Sequence, residues 1–143
     1  MNKVHFSSKS DNWSTPDDFF DMIVEKYGPF DVDVCASPNN AKCSLYYTKE
    51  QDGLRQTWSG RCWMNPPYGR EISKWVEKAA LSNTEVVALL PARTDTKWFH
   101  KYIYKKENVE VQFLMGRLKF GGASNSAPFP SMLVIFNKGA DSE

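Results

Sequence analysis

An apolar run near the middle of the chain, residues 85–90, restricts the fold more than any other segment. Short and continuously apolar runs are typical of strands that are buried on both faces, as in a parallel sheet covered by helices. Amphipathic spacing before and after this run predicts helices over residues 71–81 and 96–106. Because helical and strand patterns alternate along the chain, the sequence predicts a layered α/β fold.

Turn and capping signals predict the remaining elements. Trp13-Ser14-Thr15-Pro16 begins a helix that should end at Gly28-Pro29, since Ser14 or Thr15 can cap it and Pro16 suits its first position. Strands are expected over residues 30–36, 61–64, 109–115 and 132–136, the last two as a C-terminal antiparallel hairpin beside a mostly parallel sheet. We assign residues 1–143 to a single domain, with residues 1–12 as a flexible arm.

Composition narrows the classes of partner and site. With 18 basic and 17 acidic residues the net charge is only +1, so any contact with nucleic acid must use locally concentrated charge. No stretch approaches the roughly 18 consecutive apolar residues of a membrane helix, and the first residues lack the apolar core of a signal peptide. The 3 cysteines form no Cys-x-x-Cys pair, which favours reduced thiols and no metal site.

A short motif, Asn65-Pro66-Pro67-Tyr68, lies between a predicted strand and a predicted helix. The nitrogen of an aromatic amine is a poor nucleophile because its lone pair is delocalised into the ring. The Asn65 side-chain oxygen and the Pro66 carbonyl can accept the two N–H bonds of such an amine and free its lone pair. Tyr68 offers a flat face for a base taken out of a duplex. The alternative is a plain strand-ending turn, but the motif's position favours chemistry at an exocyclic amino group.

The chain also resembles a known family, the phage-type (Dam-like) DNA N6-adenine methyltransferases of bacteriophages and prophages. The resemblance covers residues 13–136 and rests on several motifs in order: Trp13-Ser14-Thr15-Pro16, Phe30-Asp31-Val32-Asp33, Ala36-Ser37, Asp52-Gly53-Leu54, Trp63-Met64-Asn65-Pro66-Pro67-Tyr68-Gly69, Leu90-Pro91-Ala92-Arg93-Thr94-Asp95, Gly116-Arg117-Leu118-Lys119-Phe120 and Ala127-Pro128-Phe129-Pro130-Ser131. It implies a minimal class I (Rossmann-like) methyltransferase fold. The implied reaction transfers a methyl group from S-adenosylmethionine to adenine N6 in DNA and yields S-adenosylhomocysteine.

The resemblance implies S-adenosylmethionine as the cofactor, without a metal. It places Thr15 and Asp33 near the methionine end, where a carboxylate suits an ammonium and a sulfonium. Asp52 is expected near the ribose or the adenine. The full predicted cofactor set is Trp13, Ser14, Thr15, Pro16, Asp31, Asp33, Ala36, Asp52 and Asn65. Helix capping remains the alternative for the segment 14–16, and a solvated loop carboxylate for each aspartate.

DNA is the implied partner, and the predicted contacts are Arg93, Lys97, Arg117, Lys119 and Phe120. Basic residues interleaved with an aromatic residue suit a groove that follows a nucleic-acid backbone. No separate target-recognition domain fits in the chain, so we expect a short or relaxed sequence preference, or recognition by a homodimer. The expected location is the cytoplasm of a bacterial host, with no membrane association.

Two other classes of function stay open. The chain lacks a glycine-rich turn after Asp33, and the segment from there to Asn65 is too short for the usual intervening strands and helices. Methylation of cytosine N4, of RNA or of a protein amide uses the same amine chemistry. A non-catalytic nucleic-acid-binding or anti-restriction module on the same fold is the alternative outside enzymes.

Overall fold

The computed structural model describes residues 13–121 and 126–137, so the predicted arm over residues 1–12 lies outside the described residues. Within those ranges the elements are α1 (Asp17–Tyr27), β1 (Val32–Asp33), a 3-10 turn (Gly53–Arg55), β2 (Arg61–Met64), α2 (Ile72–Leu81), β3 (Glu85–Pro91), α3 (Lys97–Tyr102), β4 (Val109–Phe113) and β5 (Ser131–Phe136). Across the described part of the chain, no helix is long and apolar enough to cross a membrane.

The strands form one mixed sheet in the order β1-β2-β3-β5-β4. The β1–β2 and β2–β3 pairs are parallel, whereas β5 pairs antiparallel with both β3 and β4. The prediction of a mostly parallel sheet is therefore not confirmed, because β5 inserts between β3 and β4. The two C-terminal strands do pair antiparallel, but the long connection from Leu114 to Pro130 separates them, so they form no tight hairpin.

The core lies along the two central strands. Every residue of β5 is buried, and in β3 every residue after Glu85 is buried. Strands that are buried on both faces have continuous apolar sequences, and for this reason residues 85–90 predicted a buried strand. Helix α2 packs its apolar stripe, including Ile72, Trp75 and Val76, against this sheet. Burying a side chain of this size contributes about 1.5–3 kcal/mol.

The three predicted helices are present, with two corrections, one at the start of α1 and one at the end of α3. Helix α3 ends at Tyr102 instead of continuing to residue 106, and Lys105 has a left-handed φ of 59° that a helix does not allow. Residue Pro16 is the N-cap of α1 rather than its first helical residue, and no side chain caps this end. Two aspartates in the first turn stabilise the positive end of the helix, and Gly28 ends it as predicted. The serine and threonine before Pro16 therefore do not serve as helix caps and are available for other contacts.

Only Val32–Asp33 of the strand predicted over residues 30–36 pairs in the sheet. Beyond β1, the sheet edge is covered by a single bridge between Asp33 and Tyr46. The chain between β1 and β2 is otherwise irregular, apart from the 3-10 turn. This short segment replaces the strands and helices that usually lie between the positions of Asp33 and Asn65. It forms a wall at the carboxyl ends of β1 and β2.

Candidate active site

A cavity of about 1030 Å³ opens at the carboxyl ends of β1 and β2. Ligand sites of α/β sheets lie at this edge, and the volume is at the upper end of what small-molecule sites offer. Most residues of the predicted cofactor set come together in its wall: Trp13, Ser14, Thr15, Asp33, Ala36, Asp52 and Asn65. The structure thus gathers groups that are spread over more than fifty positions of sequence, as their numbers show.

The Asn65 side chain is held in the wall of this cavity. Its Nδ2 donates hydrogen bonds to the Trp13 carbonyl oxygen and to Thr15 Oγ1, the latter at 3.0 Å. Its Oδ1 lies 2.9 Å from the Tyr68 hydroxyl. These contacts fix which amide atom is oxygen, because a reversed amide would set its oxygen against the Trp13 carbonyl. An amide oxygen has two lone pairs, so Oδ1 can accept a further N–H.

Tyr68 supports Asn65 and is not an open stacking surface. Its ring is 3% exposed, and its hydroxyl lies 2.8 Å from the Leu89 carbonyl oxygen as well as within reach of Asn65. Burial raises the pKa of this hydroxyl well above its usual value, so the group keeps its proton and acts as a donor. The expectation that Tyr68 offers a free flat face for a base is corrected: its aromatic neighbours and its burial leave no such face.

Four aromatic rings pack around the motif. Trp13 meets Phe120 and Phe129 edge-on, at centroid distances of 5.4 and 5.2 Å, and Tyr68 meets the same two rings at 6.3 and 5.6 Å. Edge-to-face pairs add about 0.5–1.5 kcal/mol beyond area burial. Because Phe120 and Phe129 come from the long β4–β5 connection, this cluster fastens that connection to the motif and to the start of α1.

Asp33 occupies the carboxyl end of β1, in the cavity wall. Its two oxygens accept the backbone N–H groups of Cys35 at 3.2 Å and Lys42 at 3.0 Å. Burial raises the pKa of the Asp33 carboxyl to about 6, although these two donors favour the charged form. The carboxylate therefore holds the wall segment in place, and it presents negative charge to the cavity near neutral pH.

Another part of the cavity wall is built around the 3-10 turn, which contributes Asp52 and Gly53. Asp52 caps that turn by accepting the Leu54 N–H at 3.2 Å, in a left-handed backbone conformation with φ of 58°. Gly53 lies so close to the body of the protein that an added Cβ would stand 2.0 Å from the Val34 carbonyl oxygen. Trp58 Nε1 donates to the Gly53 carbonyl at 2.8 Å, and its ring stacks on Trp75.

Pro66, one of the predicted catalytic residues, is buried and lies outside the cavity wall, whereas Pro67 lines the cavity. Three other predicted site residues have different positions from those expected. Asp31 precedes β1, at the opposite end of the strand from the cavity, and its carboxylate accepts the Arg61 backbone N–H at 2.8 Å. Pro16 caps α1 and does not line the cavity. Phe120, expected to contact DNA, is 2% exposed because it packs in the aromatic cluster.

The remaining predicted DNA contacts differ in their exposure to solvent. Lys97, Arg117 and Lys119 are exposed. Arg93 is half-buried, and its Nη1 donates to the Tyr68 backbone carbonyl at 3.0 Å. The structure therefore gives Arg93 a role in shaping the motif.

Several cavity residues were missed at the sequence level. They are Val34, Cys35, Ser37, Asn40, Lys42, Tyr47, Thr48, Lys49, Gly53, Gly69, Arg70, Glu71 and Trp75. Most belong to the irregular wall, where no periodicity marks which side chains face inward. Of these, Cys35 is no nucleophile: burial raises the pKa of its thiol to about 12, so the thiolate is not formed near neutral pH.

The cavity fits S-adenosylmethionine by its volume and by the chemistry of its wall. One carboxylate suits the ammonium, hydroxyl and amide groups suit polar atoms, and indole and aliphatic side chains suit the apolar parts. Within residues 13–121 and 126–137, no group of three or more His, Cys, Asp or Glu side chains could hold a metal ion.

Comparison with known proteins matches residues 4–141 to the model of one family, DNA N-6-adenine-methyltransferase (Dam). The chain belongs to the Dam DNA N-6-adenine-methyltransferase family. A Dam relative, the DNA N-6-adenine-methyltransferase of Escherichia phage T1, is 35% identical over 94 residues, which cover 62% of this chain and 39% of the relative. The Escherichia coli K12 protein YfdM, which carries a provisional methyltransferase name, is 42% identical over 65 residues, 41% of this chain and 71% of its own length. The Dam-family chain thus spans well under half of the phage T1 relative.

Proposed function

We propose that this chain transfers a methyl group from S-adenosylmethionine to the N6 amine of adenine in DNA. The observation that carries the proposal is the fixed position of Asn65 in the cavity wall, where Trp13 and Thr15 accept from its amide nitrogen and the Tyr68 hydroxyl donates to its amide oxygen. Membership in the Dam family and the adenine-methyltransferase name of the phage T1 relative support the substrate. The phage and bacterial origins of the two relatives support the cytoplasm of a bacterial host as the proposed place of the reaction.

The proposed binding mode uses the cavity from end to end. Asp33 pairs with the ammonium of the methionine end, while Ser14 and Thr15 supply hydroxyl groups beside it. The wall near Asp52 and Gly53 holds the adenosine end, so the shortened segment between β1 and β2 serves in place of the lacking elements. When bound, S-adenosylmethionine supplies an electrophilic methyl group and leaves as S-adenosylhomocysteine.

The chain contributes orientation and hydrogen-bond acceptors. Asn65 Oδ1 accepts one N–H of the adenine amine through its second lone pair, and the Pro66 carbonyl accepts the other. Both acceptors disfavour delocalisation of the nitrogen lone pair into the ring, so the lone pair points at the methyl group. Preorganised groups of this kind are typically worth a factor of about 10²–10³ each in rate. The methylated amine is acidic enough to release its proton to water.

Tyr68 and Arg93 act on this geometry indirectly. The single proton of the Tyr68 hydroxyl is shared between two acceptors, Asn65 Oδ1 and the Leu89 carbonyl oxygen, and the Tyr68 carbonyl accepts from Arg93. Both residues are therefore positioning residues that hold the turn of the motif. Target selection is proposed to be short or relaxed, or shared with a second copy of the chain.

Product identification tests the proposal. Unmethylated DNA is incubated with the protein and methyl-labelled S-adenosylmethionine, and the digested nucleosides are identified by mass spectrometry. We expect labelled N6-methyladenine. Labelled N4-methylcytosine would show that the same amine chemistry acts on cytosine, and it would overturn the assignment of adenine as the substrate. Tight DNA or cofactor binding with no labelled nucleoside would identify a non-catalytic module.

A further inference from the structure

After β4 the chain runs through residues 114–121, which we call the β4 exit segment. It is fixed to its surroundings at three points. The Leu114 N–H donates to the Ser131 carbonyl at 3.0 Å, the Leu118 carbonyl accepts the Ala127 N–H at 2.7 Å, and the Gly121 N–H donates to the Ser14 carbonyl at 2.8 Å. The segment therefore holds a defined position beside the start of α1 and the cavity.

The β4 exit segment has an inner and an outer side. Phe120 faces inward and packs on Trp13 and Tyr68. Met115 lies on the outer side and is fully exposed, with a relative accessibility of 102%. The next residue, Gly116, has a φ of 75°, and an added Cβ there would meet no atom within 4 Å. Met115 thus stands at the tip of a turn that projects from the protein.

A single exposed apolar side chain is ordinary on a protein surface, so the surroundings of Met115 decide what it means. Arg117 and Lys119 of the same segment are exposed. In the described ranges, the salt bridges join Lys42 to Asp17 and Arg61 to Glu85, and neither involves this segment. An apolar tip beside exposed cations suits a nucleic-acid duplex, whose phosphates need neutralisation and whose bases are apolar on their faces.

The tip also lies on the correct edge of the sheet. Strand β2 is parallel to β3, and both β3 and β4 are antiparallel to β5, so β2 and β4 run in the same direction. Asn65 follows β2 and Met115 follows β4, and both therefore leave the sheet at the same edge. In the order β2-β3-β5-β4 their strands are three spacings apart, which is about 14 Å. The strand register sets Asn65 level with Gln112, so Met115 lies three residues, about 10 Å, farther along the strand direction. The two residues are therefore about 17 Å apart, which is about five base-pair steps of a duplex at 3.4 Å each. One duplex can therefore contact both residues.

We infer that Met115 enters the base stack of a DNA duplex at the position that the target adenine vacates. Extruding a paired base costs a few kcal/mol, and an inserted apolar side chain unstacks neighbouring bases and fills the space that is left. Arg117 and Lys119 hold the adjoining phosphates. The inference rests on the proposed function and names the side chain that makes a paired adenine accessible to Asn65.

The test compares two duplexes that differ only opposite the target. Wild-type protein first identifies a methylated sequence in genomic DNA, and that sequence is made with the target adenine opposite thymine or opposite an abasic site. An adenine opposite an abasic site is cheaper to extrude. Met115→Ala should lower kcat/KM about ten-fold on the paired duplex, since each 1.4 kcal/mol of lost help is a factor of ten. On the abasic duplex the change should stay below about two-fold.

Matched variants complete the experiment. Met115→Leu keeps an apolar wedge and should retain the wild-type ratio between the two duplexes. Met22→Ala removes a methionine that is 63% exposed on α1 and should change neither rate. Equal losses on both duplexes, or no loss, would overturn the wedge; equal losses together with a change from dimer to monomer in light scattering would assign Met115 to a protein interface. Absence of methylation by the wild-type protein on any DNA would instead overturn the proposed function.

Discussion

Arg93 Nη1 donates a hydrogen bond of 3.0 Å to the backbone carbonyl of Tyr68, and so joins the segment after β3 to the turn after β2. This contact places a guanidinium, which sequence alone suggested for DNA phosphate, within the scaffold of the motif. The Tyr68 carbonyl sets the position of the guanidinium but occupies only one of its five N–H donors. Positioning and phosphate binding make different predictions for salt dependence.

Arg93→Lys should slow methyl transfer about ten-fold, because a charged hydrogen bond is worth about 1.5–3 kcal/mol and lysine lacks the planar geometry. The plot of log affinity for DNA against log salt concentration should keep its slope. Lys97→Ala, at an exposed residue, is the contrast: we expect its slope to fall by about one and its maximal rate to be unchanged. A reduced slope in the Arg93 variant, with a normal maximal rate, would assign Arg93 to phosphate.

Tyr68→Phe should lower the free energy of unfolding by about 1–3 kcal/mol, since the buried Leu89 carbonyl loses its hydroxyl partner. Transfer should also slow, because Asn65 loses one of its three contacts, while cofactor affinity should stay near the wild-type value. Urea unfolding and single-turnover rates measure both effects. Tyr104→Phe, at a ring that is 47% exposed, is the matched control and should change neither. Wild-type rates in Tyr68→Phe would remove the positioning role.

Gly53→Ala should destabilise the protein by about 1–3 kcal/mol or more and weaken cofactor binding, since its Cβ would stand 2.0 Å from a backbone oxygen and force the wall outward. Gly121→Ala is the control, because the nearest atom to its Cβ lies at an ordinary 3.4 Å. Thermal unfolding with and without S-adenosylmethionine separates the two effects. A stable Gly53→Ala protein with unchanged ligand stabilisation would exclude this wall from the cofactor site.

Cofactor affinity should fall as the pH drops through the pKa of Asp33. Burial raises that pKa to about 6, so the carboxyl is mostly charged at pH 7 and mostly neutral at pH 5. A cationic amine binds the charged form, and affinity should therefore be about ten-fold lower at pH 5 than at pH 7, with proton release on binding in the acidic range. Calorimetry of the wild-type protein and Asp33→Asn measures this. An equal pH dependence in both proteins would show that Asp33 does not meet the ammonium.

Local sequence signals predicted the helices and strands well where the local sequence alone decides the secondary structure. The acidic first turn and Gly28 set the ends of α1, and the apolar run over residues 85–90 became β3. The sheet was harder, because β5 reaches its place between β3 and β4 through pairings that no local pattern encodes. The antiparallel insertion is decided by long-range packing.

The site shows the same division. Asp31 and Asp33 are two residues apart, a spacing that puts both side chains on one face of a strand. The strand rise nevertheless separates them by about 6.6 Å, and only Asp33 lines the cavity. Burial of Tyr68 and Phe120 depends on rings contributed by the start and the end of the chain. Sequence reasoning named the chemical groups of the motif, but it could not tell which of their faces would be covered.

The central claim is that the Asn65 amide activates the adenine amine, and the most direct test is single-turnover methyl transfer by Asn65→Ala alongside calorimetric binding of S-adenosylmethionine. Transfer should fall by about 10²–10³, while cofactor affinity should change by no more than about ten-fold, the worth of one hydrogen bond. Asn83→Ala, at an exposed residue after α2, is the control. Wild-type transfer rates in Asn65→Ala would contradict the assigned role of the amide.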